Sequence, residues 1–287
     1  MLRWLLVSVA VLSLAVGLVP AAHAVDMGVI TGGEKGTYYQ FGLNFQALGR
    51  ANGINMNVHT SKGSVENIYA VYQRPGIQLG IVQSDVLAFV ARVQTDEALK
   101  RIAKKIKMVF PLYNEEVHLL ARKGINSFDD LAGKRVAIGR EGSGTYLTVR
   151  LLFKVSEVAP REMVPITNKD IAEFYPRVTI PGGTYAWQPQ AVESVTVKAV
   201  LVTFDYRRLD CDNVGKFAQL VSTNIETLVK GGHPKWKQVN LEFPLKGWEQ
   251  YDCVKKYLNK PTARATTPQK GGELNPVMDA IREILRD

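Results

Sequence analysis

Transition-metal ligands are scarce in this chain, which has two cysteines and four histidines among 287 residues. His59, His118 and His233 stand far apart, without the paired spacing a zinc site needs. The spacing of Cys211 and Cys253 fits neither a zinc nor a redox motif. Nucleotide and hydrolase signatures are missing too. A P-loop needs Gly-Lys followed by Ser or Thr, which neither glycine-rich stretch supplies. The dinucleotide fingerprint needs glycine where Leu147 stands, and a hydrolase elbow needs glycines where Glu141 and Thr145 stand. No nucleophile–base pair is evident, so the chain is read as a non-enzyme that uses no cofactor and no metal.

Charge is absent from Trp4 to Val19, an apolar run that follows Arg3 and ends at Pro20. A single membrane anchor could read this way. The Pro20 break and the small-x-small site Ala22-His23-Ala24 favour a cleaved signal peptide over residues 1–24. No cysteine near that site offers a lipid anchor, and no later run is long and apolar enough to span a bilayer. The expected location is therefore the periplasm. Cleavage leaves roughly 260 residues, room for one large or two small domains. The net charge of +9 is spread along the chain except in "KRIAKKIK". That run has the pattern of a solvated helix face, so nucleic acid is not an expected partner. In an oxidising compartment Cys211 and Cys253 are expected to pair, as a structural bond.

From Val25 onward β-like and helical runs alternate. "MGVIT" reads as a strand; "TYYQFGLNFQALGRANG" as a helix with Phe41, Phe45 and Leu48 on one face and Asn52-Gly53 as its stop. "INMNVHT" is a second strand, and "SKGSVENIYAVYQ" a helix with Ser64 as the expected N-cap. "LGIVQSD" is a third strand. The order βαβαβ implies a parallel sheet flanked by helices. "MVFPLYNEEVHLLARKG" reads as extended, "SFDDLAGK" as a short helix capped by Ser127, and "RVAIG" as a strand leading into the helix "TYLTVRLLFKVSEV". That helix puts Leu147, Leu151, Leu152 and Val155 on one face. "EMVPIT", "NKDIAEFYP", "RVTIPGGTY" and the alternating run "VESVTVKAVLVTF" follow. The last third is helical in "NVGKFAQLVSTNIETLVKGG" and "LNPVMDAIREILRD", with the linker-like "NKPTARATTPQKGGE" between them.

One pattern occurs twice. "TGGEKGTYYQFG" and "GREGSGTYLTVRLLF" each place a glycine loop and Gly-Thr-Tyr ahead of a helical run. A helix N-terminus carries free N–H groups and about half a positive charge, glycine lets a ligand approach, and Ser or Thr adds a hydroxyl. The two loops are therefore read as facing halves of one anion-binding cleft. An ordinary capped helix would also explain either loop alone; the repetition favours a ligand.

With these blocks in view, "GTYYQFGLNFQAL", "SKGSVENIYAVYQ", "LGIVQSDV", "GKRVAIGREGSGTYLTVRLL" and "TIPGGTYAWQ" together resemble the solute-binding receptors of tripartite ATP-independent periplasmic (TRAP) transporters, of the TAXI type. The likeness runs from about residue 27 to residue 205. It implies an α/β, two-lobed type II periplasmic-binding-protein-like fold, with mixed or parallel sheets flanked by helices and crossing strands as hinge. Lobe I begins over residues 25–120, lobe II covers 121–195, and 196–287 form the hinge return and a C-terminal helical part packing on lobe I. The implied ligand is a small carboxylate, a glutamate-like amino acid or a dicarboxylate, passed to a TRAP membrane permease by a monomeric receptor. The ligand-contacting positions implied by the motifs are Thr37, Tyr38, Ser64, Gln83, Ser84, Asp85, Ser143, Gly144 and Thr145. One departure stands out. "LLFKVSEV" passes almost directly into "APREMVPIT", where the family continues the second lobe, so a reduced lobe II is expected. A binding-defective or sensor-like relative is the competing expectation.

Overall fold

The computed structural model describes residues 25–92, 96–156 and 175–260. The expectations placed on residues 1–24, 157–174 and 261–287 lie outside these residues. β1 (Val25–Ile30), α1 (Thr37–Arg50), β2 (Ile54–His59), α2 (Ser64–Gln73) and β3 (Leu79–Gln83) follow the expected βαβαβ order. β1 runs parallel to both β2 and β3. Two short helices, α3 (Val86–Arg92) and α4 (Glu97–Ala103), lead to the long β4 (Ile106–Glu116). α5 (Gly144–Ser156) and β5 (Arg177–Ile180) precede the still longer β6 (Val192–Phe204). α6 (Leu209–Thr223), α7 (Ile225–Gly231) and α8 (Asp252–Leu258) complete the described chain.

The fold is α/β, with a mixed sheet of order β2-β1-β3-β6-β4 flanked by helices on both faces. β6 is antiparallel to β3 and to β4. Its side chains alternate between two cores. Ala199 and Leu201 join Met27, Val29, Phe41, Phe45, Phe217 and Trp236 on one face, while Val200 and Val202 join Ile30, Ile68, Val71, Phe89 and Leu147 on the other. This period of two is what a strand buried on both sides requires. The first part of β6 leaves the main sheet and pairs with β5, from Arg177 opposite Val195 to Ile180 opposite Val192. Thus β4 and β6 are the long strands that carry the chain out to residues 117–191 and back.

Cys211 on α6 and Cys253 on α8 form the expected disulfide, their Cα atoms 5.6 Å apart. Three local expectations are corrected. Residues 135–139 are not a strand: among the described residues no ladder partner holds them, and Arg135, Ala137 and Gly139 are exposed. "SFDDLAGK" forms only a 3₁₀ turn at Asp129–Leu131, shorter than the expected helix; Ser127 does cap it, its hydroxyl accepting from the N–H of Asp130 while the Asp130 carboxylate accepts from the N–H groups of Asn126 and Ser127. Ser64 is not a cap. Gly63 takes that position, with φ of 125°, and the Ser64 hydroxyl turns to the sheet instead.

Candidate functional site

The carboxyl ends of parallel strands are where α/β sheets present backbone and side chains to a ligand. Here that end of β3 is built from Gln83, Ser84 and Asp85, all buried. α2 is anchored beside it by Asn67, whose amide donates to the carbonyls of Thr31 and Ile81 and whose oxygen accepts from Ser61. Ser61 in turn accepts from the N–H of Gly63. This node fixes the turn that delivers Ser64, which accepts from the N–H of Gln83 at 3.0 Å.

α5 comes down onto the same place. A Cβ added to Gly63 would lie 3.2 Å from the Gly144 nitrogen and 3.2 Å from the Ser143 Cα. A Cβ on Gly144 would meet Gln83 Oε1 at 1.7 Å. Only glycines allow the two turns to seat against each other and against the Gln83 amide. The second glycine loop therefore packs on the turn at Gly63, the element between the two Gly-Thr-Tyr loops in the chain. The expected partner was the loop at Gly36.

The deeper layer consists of acids and hydroxyls. Asp85 Oδ2 accepts from Thr148 Oγ1 at 2.8 Å and from the Tyr175 hydroxyl at 2.5 Å. Glu115, near the end of β4, accepts from the Tyr38 hydroxyl at 2.7 Å. Burial pushes the Asp85 carboxyl up to about 6 from 3.8, against the pull of the bonds from Tyr175 and Thr148. Burial likewise pushes Glu115 up to about 7, and the neighbouring Asp85 charge adds to the rise. Tyr38 is raised well above its usual value, by burial first and by the Glu115 charge second.

The nine expected ligand positions divide clearly. Tyr38, Ser64, Gln83, Asp85 and Gly144 meet in this cluster. Thr37 sits at the start of α1 beside the Tyr113 phenol. Ser84 is committed to the scaffold: it exchanges bonds with the backbone of Lys198 and its carbonyl accepts from Trp248. Ser143 is the cap of α5, its hydroxyl accepting from the N–H of Tyr146 at 3.1 Å. Thr145 is exposed. α1 and α2, by contrast, have glycine caps with no side-chain bond to their first N–H groups. At the start of α2 the N–H of Val65 donates to the Gly142 carbonyl, so the N-terminus of α1 is the donor set this region offers an anion.

Glu115, Thr148 and Tyr175 were not foreseen. Thr148 was within reach, since it lies one turn after Gly144 on the same helix face. Among the described residues no group of His, Cys, Asp and Glu could hold a metal ion, and no helix is long and apolar enough to cross a membrane.

Comparison with known proteins bears on the same region. The model of the NMT1-like family matches residues 29–173. A solved structure of a conserved gene product of Candida albicans, described as exhibiting the generic periplasmic binding protein structural fold, is 12% identical. The alignment covers 91% of this chain and 94% of that one, with a TM-score of 0.40.

Proposed function

The chain belongs to the NMT1-like family, a periplasmic-binding-protein type, and on that premise we propose that it is an exported solute receptor. It holds a small carboxylate, a glutamate-like amino acid or a dicarboxylate, between residues 25–120 and 121–195. β4 and β6 act as the hinge, and the C-terminal part packs on the first lobe. The cargo is handed to the permease of a TRAP transporter, in the manner of TAXI-type receptors. No bond is made or broken. The observation that carries this reading is the seating of the α5 glycine loop on the carboxyl end of β3. That contact gathers Tyr38, Ser64, Gln83, Asp85 and Gly144 from four separate segments. The start of α1, which no side chain caps, supplies anion donors without a lysine or arginine.

A second reading, a relative that no longer binds, draws on the unpaired stretch at 135–139 and on the small β5–β6 sheet. A thermal-shift screen of the purified chain against amino acids and four- to six-carbon dicarboxylates separates the two. A ligand at a hundred times its Kd stabilises the native state by about 2.7 kcal/mol. A receptor shows such a shift with a member of the panel. Cooperative melting with no shift across the panel favours the non-binding relative.

A further inference from the structure

The buried end of β3 presents acceptors where an anion site would need donors. Among the described residues, two buried side-chain oxygens here have no hydrogen-bond partner: Gln83 Oε1 and Asp85 Oδ1. Gln83 is 7% exposed and Asp85 is fully buried. Both face one stripe of α5, because Gln83 Oε1 lies against Gly144 and Asp85 bonds Thr148, one helical turn later. Other acceptors in the cluster have donors: Asp85 Oδ2 has Thr148 and Tyr175, Glu115 Oε1 has Tyr38, and Ser64 Oγ has the N–H of Gln83. The protein has thus matched its hydroxyl donors to acceptors and left two oxygens over. A buried acceptor without a donor costs about 1–3 kcal/mol, and a charged one more. Such a pair persists where a partner arrives from outside.

The local charge points the same way. Among the described residues neither Asp85 nor Glu115 has an ion-pair partner. Lys235, whose charge Glu115 feels, is held by Glu116 and the Asn114 carbonyl. The buried Asp85 carboxyl, whose charge the half-buried Glu115 feels, forms a poor seat for a carboxylate and a good one for a cation.

We propose that the carboxyl end of β3 is an amine subsite, in which Asp85 Oδ1 and Gln83 Oε1 accept two N–H bonds from the protonated amino group of the ligand. The inference rests on the receptor reading above and narrows it. The cargo is a zwitterion, an α-amino acid, whose carboxylate faces the glycine-capped start of α1 while its ammonium group reaches β3. Plain dicarboxylates, which the family resemblance admits equally, lack the group that would satisfy these two oxygens.

Isothermal titration of the purified chain with matched pairs tests this: L-glutamate against glutarate, L-aspartate against succinate, and L-leucine against 4-methylpentanoate. Within the pair that binds, the amine-bearing member is expected to be tighter by about 10- to 100-fold, the worth of a charge-assisted hydrogen bond. Asp85→Asn should collapse that ratio, and Gln83→Met should shrink it by a smaller factor. The second variant keeps the charge of Asp85 and serves if the first fails to melt cooperatively. A des-amino acid that binds as tightly as its partner overturns the amine subsite and leaves the receptor reading standing. A ratio unmoved in a folded Asp85→Asn overturns it likewise. No binding by any member overturns both.

Discussion

Replacing Asp85 by Asn removes one buried charge while keeping the shape of the side chain. The carboxyl titrates near 6 in the folded chain against an ordinary 3.8, because burial outweighs the bonds from Tyr175 and Thr148. That difference corresponds to roughly 3 kcal/mol. The sign follows from linkage. An acid whose folded value is raised contributes stability that is fully present below the unfolded value and is lost as the pH rises through the folded one. The native chain should therefore lose stability from about pH 4 to about pH 6.5 on account of Asp85. Glu115, raised to about 7, extends the loss to slightly higher pH. Asn cannot ionise, so the variant should match the native chain near pH 4 and exceed it by up to ~3 kcal/mol at pH 8. Urea unfolding of both proteins at half-unit steps from pH 4 to pH 8 measures the difference directly. Parallel curves over that range would refute the assignment of a strained, buried Asp85. A variant less stable at every pH would show that the bonds from Tyr175 and Thr148 outweigh the ionisation penalty.

Other perturbations test separate parts of the account. Asn67→Ala removes the amide's bonds to the carbonyls of Thr31 and Ile81, leaving Ser61 to donate to Thr31 alone, and should cost about 2 kcal/mol in urea unfolding; a loss below about 0.5 kcal/mol would mean that water replaces the amide. Cys253→Ser opens a cross-link that spans 42 residues and should cost ~4 kcal/mol under oxidising conditions. In reductant the variant and the native chain should melt together, and a persisting gap would point to packing of α8 instead. Ser143→Ala combined with Thr145→Val should cost about 1 kcal/mol through loss of the α5 cap, read by thermal melting. It should also weaken ligand binding, and unchanged affinity would remove these two side chains from the site.

The three-stranded parallel core was legible because each of its strands and helices carries its own periodicity. Phe41, Phe45 and Leu48 announce the buried face of α1, and all three are fully buried. The long β6 was legible from its alternating start and its apolar β-branched run. What failed were features that depend on partners far along the chain. "RVAIG" has strand composition, yet a strand exists only with a ladder neighbour, and nothing local says whether one is there. Ser64 looks like a cap in sequence. The positive φ of Gly63 hands the cap to glycine and frees the hydroxyl for Gln83. The candidate site was half legible. Residues beside the glycine loops could be named from the loops themselves, whereas Glu115 and Tyr175 arrive from β4 and from just before β5. The paired glutamates of "YNEEV" and the lone tyrosine of "FYPRV" carry no motif. Their role is visible only once the fold places them against Tyr38 and Asp85.

The central claim is that a small solute is held where the α5 loop meets β3. Gly144→Val tests it most directly, because a side chain there would overlap the Gln83 amide. The measurement is the ligand-induced shift in melting temperature of the native chain and of this variant, side by side, with the tightest member of the amino-acid panel. The account predicts a clear shift in the native chain and none in a variant that still melts cooperatively. An equal shift in both would place the ligand elsewhere and contradict it.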